Sequence, residues 1–246
     1  MRNILFIAAT HGDEEFSIPV LEKLAEQYPK AQYGYDWVIG NPKALAQRKR
    51  YTEKDLNRSA PGDKDSPYYE ERRAAELVEL SKTCDLMIDL HGSAGDCGVV
   101  TLIPLPSREN IQLAQSIPLR RNVIWYAESS RKAGPTVQHA ACPALEIECG
   151  PKAKPSTAEE LYDALEKIVI SNKAGTFFEQ PTDTEQEVYD VYGLIKSEYD
   201  LSLQDSAEAT VDGETFTPFM SNQYPGILCY KMRRIDPENI DYKEKL

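Results

Sequence analysis

The chain of 246 residues has only three histidines and five cysteines, and both shortages narrow its possible chemistry. Its cysteines include no C-x-x-C pair, and their odd number suits reduced thiols in a cytoplasm better than a disulfide framework. We therefore expect no cysteine to bind a metal. The five cysteines are Cys84, Cys97, Cys142, Cys149 and Cys229.

Long apolar runs are also missing, since none approaches the roughly 20 residues that cross a bilayer as a helix. The short run Ile4–Ala9 follows a single basic residue, Arg2, and leads into the sequence HGDE instead of a small-residue cleavage site. The sequence thus predicts neither a membrane helix nor a signal peptide.

Positive charge is scarce as well, because 28 lysines and arginines face 40 aspartates and glutamates, a net charge of -12. This balance disfavours binding to phosphate backbones, so we expect no nucleic-acid partner. No G-x-G-x-x-G or P-loop follows the first apolar run, which argues against a nucleotide-binding module. The segment Arg48–Arg58 reverses the local sign with five cations and two acids. It predicts an anion site, although a solvated charged loop remains the alternative.

Apolar spacing along the first three quarters of the chain alternates between strand-like and helical periods. This alternation predicts an α/β fold with a mixed, mainly parallel sheet flanked by helices. After the strand that begins at Ile4, further strands are predicted at Trp37–Ile39, Asp85–His91, Val99–Ile103, Asn122–Tyr126 and Ala144–Glu148. Helices are predicted at Glu15–Gln27, Pro67–Leu80, Asn110–Ser116 and Thr157–Ser171.

The last quarter of the chain changes character at the polar, acidic segment Glu179–Glu187, which we interpret as a linker. Short strand-like pieces separated by turn signals follow it and predict a small β appendage. The domain prediction is therefore a catalytic domain at residues 1–178 and a small β-rich C-terminal domain at residues 188–246. The pieces are Val188–Ile195, Ser202–Val211, Thr215–Phe219 and Gly226–Met232.

Polar side chains follow three of the predicted strands where each strand ends. His11 and Glu14 come after the first strand, His91 ends another, and carboxylates end Ala144–Glu148. Ligands of open α/β sheets bind beyond the carboxyl ends of the strands, so these side chains can converge. Two imidazoles and one carboxylate with an open fourth position are typical of catalytic zinc. Each histidine alone could equally be a hydrogen-bonded core residue, but together they favour a metal site.

Four motifs occur in order between His11 and about Pro151: HGDE, NPKALAQRKRYTEKDLNR, IDLHGS and EIECGP. This series resembles the aspartoacylase and succinylglutamate desuccinylase family, relatives of the zinc carboxypeptidases. The resemblance implies a zinc-carboxypeptidase-like fold. It also implies one Zn²⁺ per chain, held by His11, Glu14 and His91 with water in the open position.

The same resemblance assigns roles to four further residues. Glu148 matches the family's general base, which takes a proton from the attacking water and passes it to the leaving amine. Arg50 matches the arginine that steadies the oxyanion of the tetrahedral intermediate. Asn57 and Arg58 match the pair that grips the terminal carboxylate of the substrate, for which a guanidinium fork is well shaped.

Two carboxylates near the predicted base leave alternatives open. Asp89, on the strand face of His91, is either a partner that fixes an imidazole or a residue that caps a turn. Glu146 stands where relatives tend to have a small or hydroxyl residue. It either raises the proton affinity of Glu148 by like-charge coupling or is paired to a cation and has no catalytic part.

Other departures from the family pattern put the substrate in doubt. Aspartoacylases have an arginine ten residues before the base glutamate that binds a second carboxylate, whereas this chain has Gln138 there. Only a shifted alignment would bring Arg131 or Lys132 to that place. Asp13 stands where many relatives have asparagine, and the family's substrate-binding tyrosine cannot be aligned. The candidates for that tyrosine are Tyr230 and Tyr242.

The sequence therefore predicts a cytoplasmic zinc amidohydrolase that cleaves the amide of an N-acyl amino acid or a similar small molecule bearing a carboxylate. The enzymatic alternative is a metallocarboxypeptidase that acts on short peptides. The alternative from another class is an inactive metal-binding regulatory protein of the same fold. We expect no nucleic-acid or membrane partner, and association into a homo-oligomer stays open.

Overall fold

The computed structural model describes residues 1–179, 181–198 and 201–244. Gln180 of the predicted linker, and residues 199–200 and 245–246 of the predicted C-terminal domain, lie outside these ranges. The strands are β1 (Ile4–Ala8), β2 (Tyr35–Ile39), β3 (Leu86–Gly92), β4 (Gly98–Ile103), β5 (Arg121–Ile124), β6 (Ala144–Gly150), β7 (Glu187–Lys196), β8 (Ala209–Val211), β9 (Glu214–Phe219) and β10 (Ile227–Ile235). The helices are α1 (Ser17–Gln27), α2 (Lys30–Tyr33), α3 (Pro42–Gln47), α4 (Tyr69–Leu80), α5 (Arg108–Ser116) and α6 (Pro155–Ala174).

The strands form a sheet in the order β2-β1-β3-β6-β4-β5-β7-β10-β9-β8. Strand β1 pairs in parallel with β2 and β3, and β3 pairs in parallel with β6. Strand β4 runs antiparallel to β6, and β5 pairs in parallel with β4 and therefore also runs opposite to β6. The mixed, mainly parallel sheet predicted for the first six strands is confirmed, and the carboxyl ends of β1, β3 and β6 lie side by side.

Burial explains why these three central strands read as continuous apolar runs. Every residue of β1, β3 and β6 is buried, as expected when helices cover both faces of a parallel sheet. One face packs on α1 and α6 through residues such as Leu24 and Leu165, and the other packs on α4 through Leu77. The core thereby fixes the strand ends that carry the predicted site.

The predicted helices are present with shifted ends. Helix α1 begins at Ser17, which places Pro19 in its first turn, where its missing N–H is tolerated. The short helices α2 and α3 were not predicted, because four and six residues are too few to show a helical period. The strand predicted at Ser202–Val211 was wrong in extent, since only Ala209–Val211 is extended and paired.

The C-terminal strands extend the main sheet. Strand β7 pairs in parallel with β5, and β10 lies antiparallel to β7 along most of its length. The main sheet therefore continues beyond the predicted linker, while the division into two domains stays a prediction. Among the described residues, no helix has both the length and the apolar character needed to cross a membrane.

Candidate active site

The turn after β1 brings His11 and Glu14 together. The Glu14 N–H donates to the His11 carbonyl over 3.0 Å, and His11 Nδ1 lies 2.8 Å from Glu14 Oε1. Gly12 allows this turn to lie against α3, because a Cβ there would come within 2.1 Å of the Ala44 carbonyl carbon. Local backbone geometry therefore produces the H-x-x-E pair.

Strand β3 adds the third predicted ligand. His91 Nδ1 lies 3.3 Å from Glu14 Oε2, and the same oxygen accepts from the Gly92 N–H over 3.0 Å. The His11 and His91 rings have centroids 5.0 Å apart. One ligand atom from each of His11, Glu14 and His91 lies within 4.8 Å of the others, and all three residues are buried. The structure brings these predicted residues together at one point.

Each imidazole also faces a carboxylate through its other nitrogen. His11 Nε2 is 3.1 Å from Asp55 Oδ1, and His91 Nε2 is 3.1 Å from Asp89 Oδ2 without the alignment of a hydrogen bond. The Thr10 hydroxyl, 2.9 Å from both Asp89 oxygens, holds that carboxylate in place. A hydrogen bond like the one between Asp55 and His11 keeps the proton on Nε2 and leaves the Nδ1 lone pair for a metal.

Asp55 was missed by the sequence reasoning, although it belongs to the DLNR motif. Its side chain accepts from the Asn57 N–H at the start of a single 3-10 turn and also contacts Arg50 at 3.3 Å. A carboxylate two residues before the predicted carboxylate-binding pair was the available signal.

The charges around His11, Glu14 and His91 favour a bound cation. Burial disfavours the charged form of both histidines, yet the surrounding carboxylates outweigh it and raise the pKa of His11 and of His91. Burial opposes the charge on Glu14 too, but the two histidines hold its pKa well below the usual range. Two imidazole nitrogens and a carboxylate oxygen form a donor set that suits zinc.

Glu148 lies beside His91, because the β3–β6 register pairs His91 with Glu148 and Asp89 with Glu146. Side chains two residues apart on a strand share a face, so all four point the same way. Burial raises the pKa of Glu148 to about 8, and the Glu14 and Glu146 carboxylates add to this rise against the opposing histidines. Glu148 is thus a buried carboxyl group with high proton affinity at the edge of the His-Glu-His cluster.

Among the described residues, no lysine or arginine side chain donates a hydrogen bond to Glu146. It is buried, accepts from Asn57 Nδ2 over 2.9 Å and lies 3.5 Å from His91 Nε2. The Asn57 Oδ1 atom is buried without a hydrogen-bond partner. The Asn57 amide predicted to grip a substrate therefore donates to Glu146 in this structure.

The basic loop places Arg50 and Arg58 at the same cavity. Arg50 is held by Asp55 and lies 3.6 Å from Glu14, and Arg58 donates to the Asn57 carbonyl over 2.7 Å. The fully buried Glu70 of α4 anchors the loop by accepting from the backbone N–H groups of residues 52, 53 and 54. Both arginines line the cavity, where Arg50 is partly buried and Arg58 remains exposed to solvent.

One cavity of about 220 Å³ is lined by all seven predicted site residues. They are His11, Glu14, Arg50, Asn57, Arg58, His91 and Glu148. Gln138 also lines it and accepts from the Ser130 hydroxyl over 2.6 Å. Tyr230 lines the cavity as well, and so does Tyr224, which lies in the β9–β10 turn and carried no sequence signal.

Other candidates lie outside the lining residues. Arg131 donates to the Tyr126 hydroxyl and contacts Glu128, and Lys132 does not line the cavity either. Tyr242 packs its ring under Arg108. Asp13, which replaces the asparagine of many relatives, lies 3.3 Å from Lys152 Nζ. Of these candidates, Tyr242, Arg131 and Lys132 do not line the cavity in this structure.

The third histidine, His139, is separate from this cluster. Its Nε2 lies 3.0 Å from the Ser130 carbonyl oxygen, and burial lowers its pKa. It is not among the residues that line the cavity.

Comparison with known sequences supports the resemblance drawn from the motifs. Residues 1–172 match the family model of the succinylglutamate desuccinylase/aspartoacylase catalytic domain. A probable aspartoacylase of Prochlorococcus marinus strain MIT 9515 is 31% identical over 174 residues, which cover 65% of this chain and 56% of that protein. Another from Prochlorococcus marinus subsp. pastoris is 35% identical over 105 residues, 40% of this chain and 36% of its own length. The chain thus matches between a third and somewhat over half of these relatives.

Solved structures share the fold at low identity. Murine aminoacylase 3 has a TM-score of 0.68 at 17% identity, with 95% of each chain covered. The succinylglutamate desuccinylase from Chromobacterium violaceum has a TM-score of 0.65 at 17% identity, covering 95% of this chain and 85% of that one. These likenesses establish the fold, a large, mainly parallel sheet flanked by helices.

Proposed function

Because the chain belongs to the succinylglutamate desuccinylase/aspartoacylase family, we propose that it is a zinc-dependent hydrolase of the amide bond of an N-acyl amino acid. The observation that carries this proposal is the His11, Glu14 and His91 ligand set with the buried Glu148 beside it in one cavity. The zinc, the reaction and the residue roles below all belong to the proposal. So does a cytoplasmic location with a small carboxylate-bearing molecule as the partner.

His11, Glu14 and His91 would hold one zinc ion. When bound, zinc supplies a Lewis acid that polarises the amide carbonyl and acidifies water. Asp55 and Asp89 keep the two imidazoles oriented, which their 3.1 Å distances to the Nε2 atoms support. Removal of such partners typically weakens metal binding without removing a ligand.

Glu148 acts as general base and then as general acid. Its carboxylate takes a proton from the attacking water at a side-chain oxygen and later gives it to the nitrogen of the leaving amine. Burial raises the pKa of Glu148 to about 8, which favours the protonated form that serves as the acid in the second step. The Glu146 charge contributes to the rise, which makes that residue an electrostatic neighbour of the base.

Arg50 and Arg58 divide the negative charges of the substrate between them. Arg50, fixed by Asp55 and close to Glu14, stabilises the oxyanion that develops on the amide carbonyl. Arg58 binds the carboxylate that the substrate carries throughout the reaction. The Asn57 side-chain amide has two N–H groups. One donates to Glu146, and the other assists Arg58 in binding the carboxylate.

A substrate panel tests this function. We expect the zinc-loaded protein to release free amino acids from N-acyl amino acids faster than it cleaves short peptides, and to lose this activity when a chelator removes the metal. Faster cleavage of peptides from their carboxyl end would identify a metallocarboxypeptidase. Zinc binding without hydrolysis of any member of the panel would identify a regulatory protein and contradict the proposal.

A further inference from the structure

Two chemically different groups of side chains line the cavity. The first consists of the predicted catalytic and binding residues. The second is apolar and aromatic, and its members lie in or directly after β4, directly after β5, and in the β9–β10 hairpin with its turn. We call this second group the aromatic wall, consisting of Leu102, Pro104, Trp125, Met220, Tyr224 and Tyr230.

The aromatic wall is packed in advance of any ligand. The Trp125 ring meets Tyr230 edge to face with centroids 4.5 Å apart and meets Phe219 at 5.8 Å. Phe219 is fully buried and lies opposite Tyr230 in the β9–β10 register. Such edge-to-face packing fixes the rings and presents their remaining surface to the cavity.

Few cationic side chains in the cavity are available to bind a substrate carboxylate. Among the described residues, Arg50 and Arg58 are the only lysine or arginine side chains that line the cavity, and Arg50 already faces Asp55 and Glu14. Gln138, where aspartoacylases have an arginine, is occupied with the Ser130 hydroxyl. One guanidinium therefore remains for one substrate carboxylate, and a second carboxylate in the cavity would have no arginine or lysine to bind it.

The remaining arginine lies next to the aromatic wall. Burial raises the pKa of Tyr230, and the positive charge of Arg58 opposes that rise. Burial likewise raises the pKa of Tyr224 to about 12, with Glu148 adding to the effect and Arg50 and Arg58 opposing it. A carboxylate on Arg58 would bring the α-carbon of the amino acid, and thus its side chain, beside Tyr224 and Tyr230.

We propose that the aromatic wall binds the side chain of the amino-acid half of the substrate and selects an apolar, above all aromatic, N-acyl amino acid with a single carboxylate. Trp125 and Tyr230 are the specificity-determining residues. This inference rests on the proposed function, and it names the substrate class of the same site.

The kinetic test compares N-acetyl derivatives of phenylalanine, leucine, alanine, aspartate and lysine on the zinc-loaded protein. We expect kcat/KM for N-acetylphenylalanine to exceed that for N-acetylalanine by about 10-fold to 100-fold, the range that apolar pockets reach. Trp125→Ala should reduce this ratio by about 10-fold, whereas Trp125→Phe should keep most of it. A variant that is merely misfolded would lower both rates and leave the ratio unchanged.

A binding measurement separates this inference from the proposed function. The chain has two tryptophans, so Trp37→Phe leaves Trp125 as the only one. We expect the Trp125 emission of that variant to change saturably with the product phenylalanine and to remain unchanged with alanine or aspartate. Trp37 lies in β2, away from the aromatic wall, so its replacement should not affect turnover.

Each outcome bears on one of the two proposals. A phenylalanine response without hydrolysis of any N-acetyl compound would remove the proposed function and leave the aromatic wall as a binding site. Hydrolysis of N-acetylalanine and N-acetylphenylalanine at equal kcat/KM, with no Trp125 response, would overturn the inference alone. Preference for N-acetylaspartate would overturn it too, and so would preference for N-acetyllysine, which would assign the side-chain site to Glu146.

Discussion

The ends of β1, β3 and β6 and the hairpin of β9 and β10 face the same cavity, yet they are built by opposite means. The first region buries charge: His11, Glu14 and His91 are stabilised by one another and by nearby charged and polar groups such as Asp55 and Arg50. The second region buries aromatic rings that pack against one another and need no charged partner. Buried charge tolerates few replacements, whereas apolar packing tolerates many. We therefore expect changes in the first region to reduce hydrolysis of every substrate, and changes in the second to alter the order of substrates.

Loss of a metal ligand should have the largest effect. His91→Ala removes one of three ligands, so most of the bound zinc and the hydrolysis of every substrate should be lost together. The matched control is His139→Ala, because His139 lies outside the cavity and contacts the Ser130 carbonyl. Metal analysis of both purified variants measures the effect. Full zinc content in His91→Ala would remove this residue from the metal site.

Loss of the proposed base, Glu148, should have the second-largest effect on hydrolysis. Glu148→Gln should lower kcat by about 100-fold to 10,000-fold while zinc stays bound, since an amide cannot accept the proton of water. Glu146→Gln is the matched control, because it lies two residues away on the same strand face and its amide oxygen can still accept from Asn57. If Glu146→Gln abolished turnover and Glu148→Gln kept it, the roles along β6 would be reversed.

Replacement of Arg50 and replacement of Arg58 should change different kinetic parameters. Arg50→Ala should lower kcat by about 100-fold to 1,000-fold, the cost of losing one oxyanion donor, with less effect on KM. Arg58→Ala should mainly raise KM, because the carboxylate it binds is present before and during reaction. Steady-state kinetics with one good substrate measure both. Matching changes in kcat and KM for the two variants would contradict the division between them.

The smallest effect should come from the carboxylates behind the histidines. Asp55→Asn and Asp89→Asn should each weaken zinc binding by about 10-fold to 100-fold, because the imidazoles lose their orienting partner but remain ligands. Titration against a metal buffer measures the affinity, with Asp36→Asn on the exposed edge strand as control. Unchanged affinity in both variants would show that the imidazoles are oriented by packing alone.

The same contrast explains what the sequence could predict. Strands β1, β3 and β6 were recognisable because full burial leaves continuous apolar runs, and the proposed ligands were recognisable because they follow or end those runs. Local motifs also identified Arg50 and the Asn57-Arg58 pair. The family assignment and the α/β sheet are accordingly confirmed, whereas the role of each residue remains a prediction.

Long-range geometry could not be predicted in this way. The contact of Asp55 with His11 spans 44 residues, and the Asn57 contact with Glu146 spans 89. Tyr224 lines the cavity only because the β9–β10 turn folds back over it, while Tyr242, an equal candidate by residue type, packs under Arg108 instead. Nothing in the composition of the segment after Glu187 signalled that β7 would pair with β5.

The residues that line the cavity come from two separate parts of the sequence, and this affects whether a substrate can be assigned from family membership. Every proposed ligand and catalytic residue lies at or before Glu148, whereas Met220, Tyr224 and Tyr230 of the aromatic wall lie more than seventy residues later. The stretch that identifies the family, residues 1–172, therefore carries all of the proposed hydrolytic chemistry but only part of the aromatic wall, because Trp125 lies inside it and Met220, Tyr224 and Tyr230 lie outside it. Two members that agree throughout that stretch can act on different molecules, so a substrate name should be transferred between them only when residues 219–230 are also alike.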